Sequence, residues 1–234
     1  MNSKICRWLK AELAGWQLWE VVYTAICTLS IMLISFACGE NWLGVASAVT
    51  GTLYTLLAGK GKTSCYFFGI FNSAAYGYIA YSCKLYGDAM LNWFCYLPMM
   101  FAGMIFWRRK LDAENCVEKR LLTVSGRIIT AAVSFCGIAG YAFVLKKLGG
   151  GQPWVDSCTT VLSVVAMVLT VKRCAEQWLM WILVNGISVV MWLRVYLNGG
   201  NSVATLLWWL IMFITGVIFF IRWQRAANME KKLN

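Results

Sequence analysis

Residues 177–197 read QWLMWILVNGISVVMWLRVYL, a run in which Arg194 carries the only charge. A helix of about 20 apolar residues crosses the hydrocarbon core of a bilayer, so this stretch is long enough to span one. It is not uniformly apolar. Gln177, Trp181, Asn185 and Ser188 recur at spacings of three and four, which lines them along one helical face. A buried amide without a partner costs about 1–3 kcal/mol, so Asn185 needs either a neighbouring helix or a ligand.

The arrangement occurs twice. Residues 65–84, CYFFGIFNSAAYGYIAYSCK, carry Phe68, Asn72 and Tyr76 at the same spacing. At an offset of 113 residues Phe68-x-x-x-Asn72 lies over Trp181-x-x-x-Asn185. The same offset pairs Lys60 with Arg173, Gly87 with Gly200, Gly103 with Gly216, Ile105 and Phe106 with Ile218 and Phe219, and Arg109 with Arg222. The chain therefore reads as an internal duplication. A polar handle inside each of two hydrophobic repeats is the pattern of a membrane transporter with its site between the repeats.

Composition agrees about the solvent. Of 234 residues, 60% are hydrophobic and 13% charged, too few charges to cover a soluble domain. The net charge of +11 invites a nucleic-acid partner, but the basic residues fall in short groups between apolar runs and form no continuous face. No nucleic acid is expected. The apolar runs predict an all-α integral membrane protein with eight transmembrane helices, near 16–38, 41–58, 65–84, 89–108, 121–145, 153–171, 177–197 and 203–223. The loops are short, and only 108–120, RRKLDAENCVEKR, reads as a solvated linker.

Charge then gives orientation. Of the 21 lysines and arginines, only Lys84, Lys146, Lys147 and Arg194 fall on the side opposite the N-terminus. Cytoplasmic loops collect positive charge, so both termini are expected in the cytoplasm. Each repeat holds three helices and one helix separates them, so an odd unit plus one linker restores direction and the repeats should be parallel. The expected layout is a cytoplasmic N-terminus with an extra transmembrane helix (1–38), a first three-helix repeat (39–108), a linker and connecting helix (109–152), a second three-helix repeat (153–223) and a cytoplasmic tail (224–234). This is one added helix and a 3+1+3 core. The first segment is too long for a signal-peptide core and lacks a small-residue cleavage site, so it is expected to be retained.

Catalysis is not expected. The chain has no histidine, and its ten cysteines fall singly with no C-x-x-C, so neither a metal site nor a cofactor is implied. Gly61-Lys62-Thr63 resembles the end of a phosphate loop, but Leu56 stands where that motif needs its first glycine. It reads as a cytoplasmic turn. Glu40, Asp88, Asp112, Glu114, Glu118, Asp156, Glu176 and Glu230 fall at helix ends or in loops, and Glu12 and Glu20 lie before or at the start of the first helix. A charge at the bilayer centre costs at least about 2.5–3.5 kcal/mol and is kept there for work. With no carboxylate so placed, the chain reads as a facilitator that equilibrates its substrate.

The remaining aromatic and small residues sort by depth. Trp19, Trp42, Trp107, Trp154, Trp192 and Trp223 lie near expected helix ends, where aromatic belts anchor membrane proteins. Trp178 and Trp181 lie beside Gln177, where an indole can stack on a flat heterocycle. Gly69-x-x-x-Ser73-x-x-x-Gly77 reads as close helix packing, and Pro98 as a possible kink. The expected substrate-binding set is Phe68, Asn72, Tyr76, Gln177, Trp178, Trp181, Asn185 and Ser188, with no catalytic or metal-binding residue.

Three stretches carry a family resemblance. Gln177-Trp178-x-x-Trp181-x-x-x-Asn185, its counterpart Phe68-x-x-x-Asn72-Ser73, and Lys84-Leu85-Tyr86-Gly87-Asp88 resemble the PnuC family of bacterial nicotinamide riboside transporters over about residues 40–225. The resemblance implies a 3+1+3 core similar to that of SWEET sugar transporters, a homotrimer, and facilitated diffusion of nicotinamide riboside across the bacterial inner membrane. It also implies trapping by phosphorylation in the cytoplasm. The chain departs from a symmetric pattern at Phe68, where the second copy has Trp181. Related proteins carry thiamine or riboflavin, which are the alternative substrates, and a SWEET-type sugar uniporter is a further alternative. SWEET helices rely on prolines, whereas only Pro98 and Pro153 occur here.

Overall fold

A computed structural model describes residue 12 and residues 15–84, 86–112, 115–149, 151–199 and 203–233. Leu85, Glu114 and Gly200, on which parts of the sequence reading rest, lie outside the described residues. The described chain is helical apart from turns and two isolated bridges, and it forms two compact units, Met1–Glu118 and Lys119–Asn234.

The first unit contains α1 (Leu18–Ala37), α2 (Trp42–Lys60), α3 (Cys65–Ser82), α4 (Tyr86–Met90) and α5 (Leu97–Arg108), with a π-helical turn at Leu91–Tyr96 joining the last two. Asn41 starts α2 by accepting the Gly44 N–H at 2.8 Å. Gly61 ends it with φ 86°, a left-handed conformation that glycine adopts without a Cβ clash. Small residues on α3 let neighbours approach. A Cβ at Gly69 would lie 2.6 Å from the Met100 Sδ and 2.8 Å from the Tyr54 ring, and one at Gly77 would meet the Trp93 indole. The expected close packing along Gly69, Ser73 and Gly77 is therefore present. The π-turn precedes Pro98, whose missing N–H and bulky ring cannot continue a regular i→i−4 ladder.

The second unit contains α6 (Val124–Lys147), α7 (Pro153–Val171), α8 (Glu176–Leu197) and α9 (Val203–Leu233). Thr123 caps α6 through the Gly126 N–H at 3.1 Å. Pro153 opens α7, where its fixed φ suits a first helical turn. The helix α9 continues to Leu233, through most of the region 224–234 read from sequence as a cytoplasmic tail.

Seven helices among the described residues are long and apolar enough to cross a membrane: Leu18–Ala37, Trp42–Lys60, Gly87–Arg108, Val124–Lys147, Pro153–Val171, Glu176–Leu197 and Thr205–Lys231. The chain is a multi-pass membrane protein. The remaining long helix, α3, falls short of that apolarity because Tyr66, Tyr76, Tyr78, Tyr81, Asn72 and Ser73 dilute it. One expectation needs correction. The stretch 108–120 is more than solvated linker: Cys116 and Val117 are buried, Leu111 bridges Val117, and the Val117 N–H donates to the Gly61 carbonyl at 2.8 Å. An apolar Cys-Val pair inside a charged run packs inward while its neighbours stay wet.

Candidate functional site

The expected site residues lie on α3 and α8, and each helix begins at a turn built the same way. In the first unit Gly61 is left-handed, the Lys62 N–H donates to the Leu57 carbonyl at 2.9 Å, and the Cys65 and Tyr66 N–H groups donate three residues back, to Lys62 and Thr63. In the second unit Arg173 is left-handed with φ 63°, the Cys174 N–H donates to the Leu169 carbonyl at 2.9 Å, and Gln177 and Trp178 donate to Cys174 and Ala175. Gly61 thus matches Arg173, at an offset of 112, and Tyr66 matches Trp178.

Packing supports that register. The Tyr66 and Trp107 rings meet edge-on with centroids 5.1 Å apart, and those of Trp178 and Trp223 do so at 6.1 Å. Residues 61–66 and 173–178 are all buried, whereas Phe67 and Leu179, the next along, are exposed. At an offset of 112, Ser73 stands at the step of Asn185 and Gly69 at the step of Trp181. The pairing of Phe68 with Trp181 and Asn72 with Asn185 read from sequence is displaced by one residue. In the last helices Trp107 matches Trp223, an offset of 116, because α8 has 22 residues and α3 has 18. The Gly103–Gly216 identity therefore spans two different depths: a Cβ at Gly103 would meet the Tyr66 ring, and one at Gly216 the Ile182 side chain.

On α8 the expected residues gather. Gln177 is 1% exposed, Asn185 7% and Ser188 5%, and Trp181 is half-buried on the same side. The Gln177 Nε2 is buried without a hydrogen-bond partner among the described residues, as is the Trp178 Nε1. Ser188 is satisfied within its helix, donating to the Val184 carbonyl at 3.0 Å. Gly216 leaves room beside Ile182 and Asn185, since a Cβ there would sit 3.1 Å from the Ile182 Cγ1 and 3.9 Å from the Asn185 Nδ2. The Trp178 ring is occupied by neighbours, with Phe219 at 5.1 Å and Trp223 at 6.1 Å. Packing against protein is its visible role.

On α3 the set is looser. Phe68 and Asn72 are half-buried and Tyr76 is exposed. Asn72 already has a helix neighbour, because the Ser47 hydroxyl of α2 donates to its Oδ1 at 2.9 Å. The two asparagines therefore differ in kind: Asn72 ties α3 to α2, and Asn185 sits among buried polar groups on α8.

Both turns are also held by charge. In the first unit the Lys60 ammonium lies 2.6 Å from the Glu20 carboxylate and 2.5 Å from the Gly15 carbonyl, and Ser64 donates to Glu12 at 2.7 Å. In the second, Glu176 accepts from the Arg127 Nε at 2.9 Å and from the Leu122 N–H at 3.1 Å. Burial, and then the Glu176 carboxylate, push the nearby Cys174 thiol above its ordinary range, against the lowering effect of Arg120, Lys172 and Arg173. Sequence spacing does not reveal these pairs, since Lys60–Glu20 and Arg127–Glu176 join distant segments.

Comparison with known proteins places this arrangement. Residues 41–225 match the model of the family described as nicotinamide mononucleotide transporter. The chain is 34% identical over 229 residues to a nicotinamide riboside transporter PnuC from Neisseria mucosa, covering 94% of this chain and 87% of that protein. It is 32% identical over 188 residues to a protein of the same name from Haemophilus influenzae, covering 79% of this chain and 83% of the relative. A crystal structure of the vitamin B3 transporter PnuC superposes with a TM-score of 0.80 at 33% identity, over 95% of this chain and 98% of that one. With a family model matched over most of its length and relatives at 34% and 33% identity covered nearly end to end, the chain belongs to the nicotinamide mononucleotide transporter (PnuC) family and is a membrane transporter, not an enzyme.

Proposed function

We propose that this protein carries nicotinamide riboside across the bacterial inner membrane by facilitated diffusion, through alternating access, with α8 as the recognition element. The observation that carries the reading is the Gln177 Nε2, buried with no hydrogen-bond partner among the described residues, on the helix that also bears Trp181 and Asn185. A flat pyridinium cation suits the Trp181 indole through stacking and cation–π attraction, about 0.5–2 kcal/mol. The carboxamide and ribose hydroxyls suit the amides of Gln177 and Asn185. Phe68, Asn72 and Tyr76 on α3 are the less buried members of the set read from sequence, and Ser188 lies beside Asn185 on α8, whereas Trp178 supports the helix by packing on Phe219 and Trp223.

The family description names the mononucleotide and the relatives name the riboside. The neutral α8 face favours the riboside. Gln177, Trp181, Asn185 and Ser188 bring no cation, and a phosphate dianion taken from water would need one. Uncoupled transport is supported by the placement of acidic residues, since among the described helices Glu20 is ion-paired to Lys60 and Glu176 to Arg127 at helix starts.

The finer architecture belongs to the same proposal. Eight crossings, with α3 as the eighth, one added helix before a 3+1+3 core and both termini in the cytoplasm agree with the charge asymmetry and with α3's length. Its 18 residues extend about 27 Å, close to the hydrocarbon thickness of about 30 Å. A homotrimer follows from the family resemblance and is tested by the mass of the purified protein in detergent. The substrate is tested by calorimetry with nicotinamide riboside, its mononucleotide, thiamine and riboflavin. The riboside should bind, Asn185→Ala should remove that binding, and tighter binding of any other compound would overturn the assignment.

A further inference from the structure

Gln177, the side chain that the proposed site depends on, directly follows Glu176, whose carboxylate is held by protein groups. Glu176 is the first residue of α8, 8% exposed, and its carboxylate accepts from the Leu122 N–H at 3.1 Å to each oxygen and from the Arg127 Nε at 2.9 Å. The same segment grips the turn through backbone, with the Arg120 N–H on the Arg173 carbonyl at 2.9 Å and the Ala175 N–H on the Arg120 carbonyl at 2.8 Å. The start of α8 is thereby fixed against the chain leading into α6 and against α6's first turn.

From this geometry we infer that Glu176 is a positioning residue for Gln177, holding its amide where it meets the substrate. The inference rests on the site assignment above. A glutamine side chain has three rotatable torsions, and a buried donor without a partner among the described residues has none of them to direct it. Direction must come from the backbone that carries it. That backbone is anchored at Arg173, Ala175 and Glu176, all within four residues of Gln177. The carboxylate also lies at a helix N-terminus, where negative charge is favoured, so the anchor and the helix start reinforce each other. The first unit has the same backbone turn but a different side-chain anchor: Ser64, at the step of Glu176, has no carboxylate of its own and reaches that of Glu12.

The test is a double-mutant cycle on the purified full-length protein, with nicotinamide riboside affinity read by calorimetry and folding by thermal melt. Glu176→Ala should weaken binding about tenfold and Gln177→Ala at least as much, the loss expected when one aligned hydrogen bond goes. The double variant should bind no more weakly than Gln177→Ala, because a residue acting through another adds nothing once that other is gone. Losses that multiply, or an E176A variant with unchanged affinity beside a weakened Q177A, would overturn the positioning role alone. Unchanged affinity in Q177A would overturn the site assignment as well. Should E176A not yield folded protein, E176Q, which keeps an acceptor for the Leu122 N–H, takes its place in the cycle.

Discussion

Tyr66 and Trp178 occupy the same step of two matching turns: each lies five residues after a left-handed residue, Gly61 or Arg173, and each packs edge-on against a buried tryptophan, Trp107 or Trp223. This equivalence divides the aromatic residues of α8 by role. Trp178 is 2% exposed and packed against Phe219 and Trp223, whereas Trp181 is half-buried. Truncating a buried tryptophan costs about 3–5 kcal/mol. Trp178→Ala should therefore lower the melting temperature in detergent markedly. Trp181→Ala should melt near wild type and lose nicotinamide riboside binding. Melts and titrations on the two variants separate the roles.

The two asparagines should separate in the same way. Ser47 and Asn72 share a hydrogen bond of 2.9 Å, so Asn72→Ala leaves a hydroxyl without its partner and should cost about 1–3 kcal/mol of stability. Ser47→Ala should cost a similar amount, and the double variant little more than either single one. Asn185→Ala should act on affinity and leave the melt close to wild type. Loss of binding in Asn72→Ala equal to that in Asn185→Ala would contradict this division.

The first unit should depend on the Lys60–Glu20 pair. The two side chains are 11% and 4% exposed, so removing one partner leaves a buried charge, at a cost of about 3–5 kcal/mol. Glu20→Gln and Lys60→Met should each reduce thermal stability, and added salt should change the wild-type melt little because the pair is shielded. The Arg127–Glu176 pair has an arginine side chain 51% exposed and should contribute less.

How the turns repeat was only partly legible in sequence. Hydrophobic run lengths were enough to place the seven long apolar helices found among the described residues, because hydrocarbon demands apolar length and little else. Register was less accessible. Gly61 marks the first left-handed turn, but the second uses Arg173, which carries no such sign, and the identities at an offset of 113 concealed the backbone match at 112. The displacement by one residue moves Asn185's counterpart from Asn72 to Ser73. It also explains why α3 offers less: where α8 has Trp181, α3 has Gly69, covered by Met100 and Tyr54. The Cys116–Val117 pair departs from simple hydrophobic patterning for a related reason, since its environment is protein made by a distant part of the chain, the Gly61 turn.

Thiol chemistry checks the topology. Cys38 and Cys83 are exposed at the ends of α1 and α3, and Cys174 lies buried in the turn before α8 with its thiol pushed up by that burial and by Glu176. In single-cysteine variants, a membrane-impermeant maleimide at neutral pH should label Cys38 and Cys83 on intact cells. Cys174 should resist it even after permeabilisation, because a raised pKa leaves little thiolate to react. Labelling of Cys174 on intact cells would reverse the orientation.

Uptake into proteoliposomes tests the central claim most directly. With purified protein, radiolabelled nicotinamide riboside and the membrane potential held at zero, internal label should rise until it equals the external concentration and stop there, with or without a pH gradient, and Asn185→Ala should abolish the rise. Accumulation above the external concentration when a gradient is imposed, or entry of the mononucleotide, thiamine or riboflavin in preference to the riboside, would contradict the account.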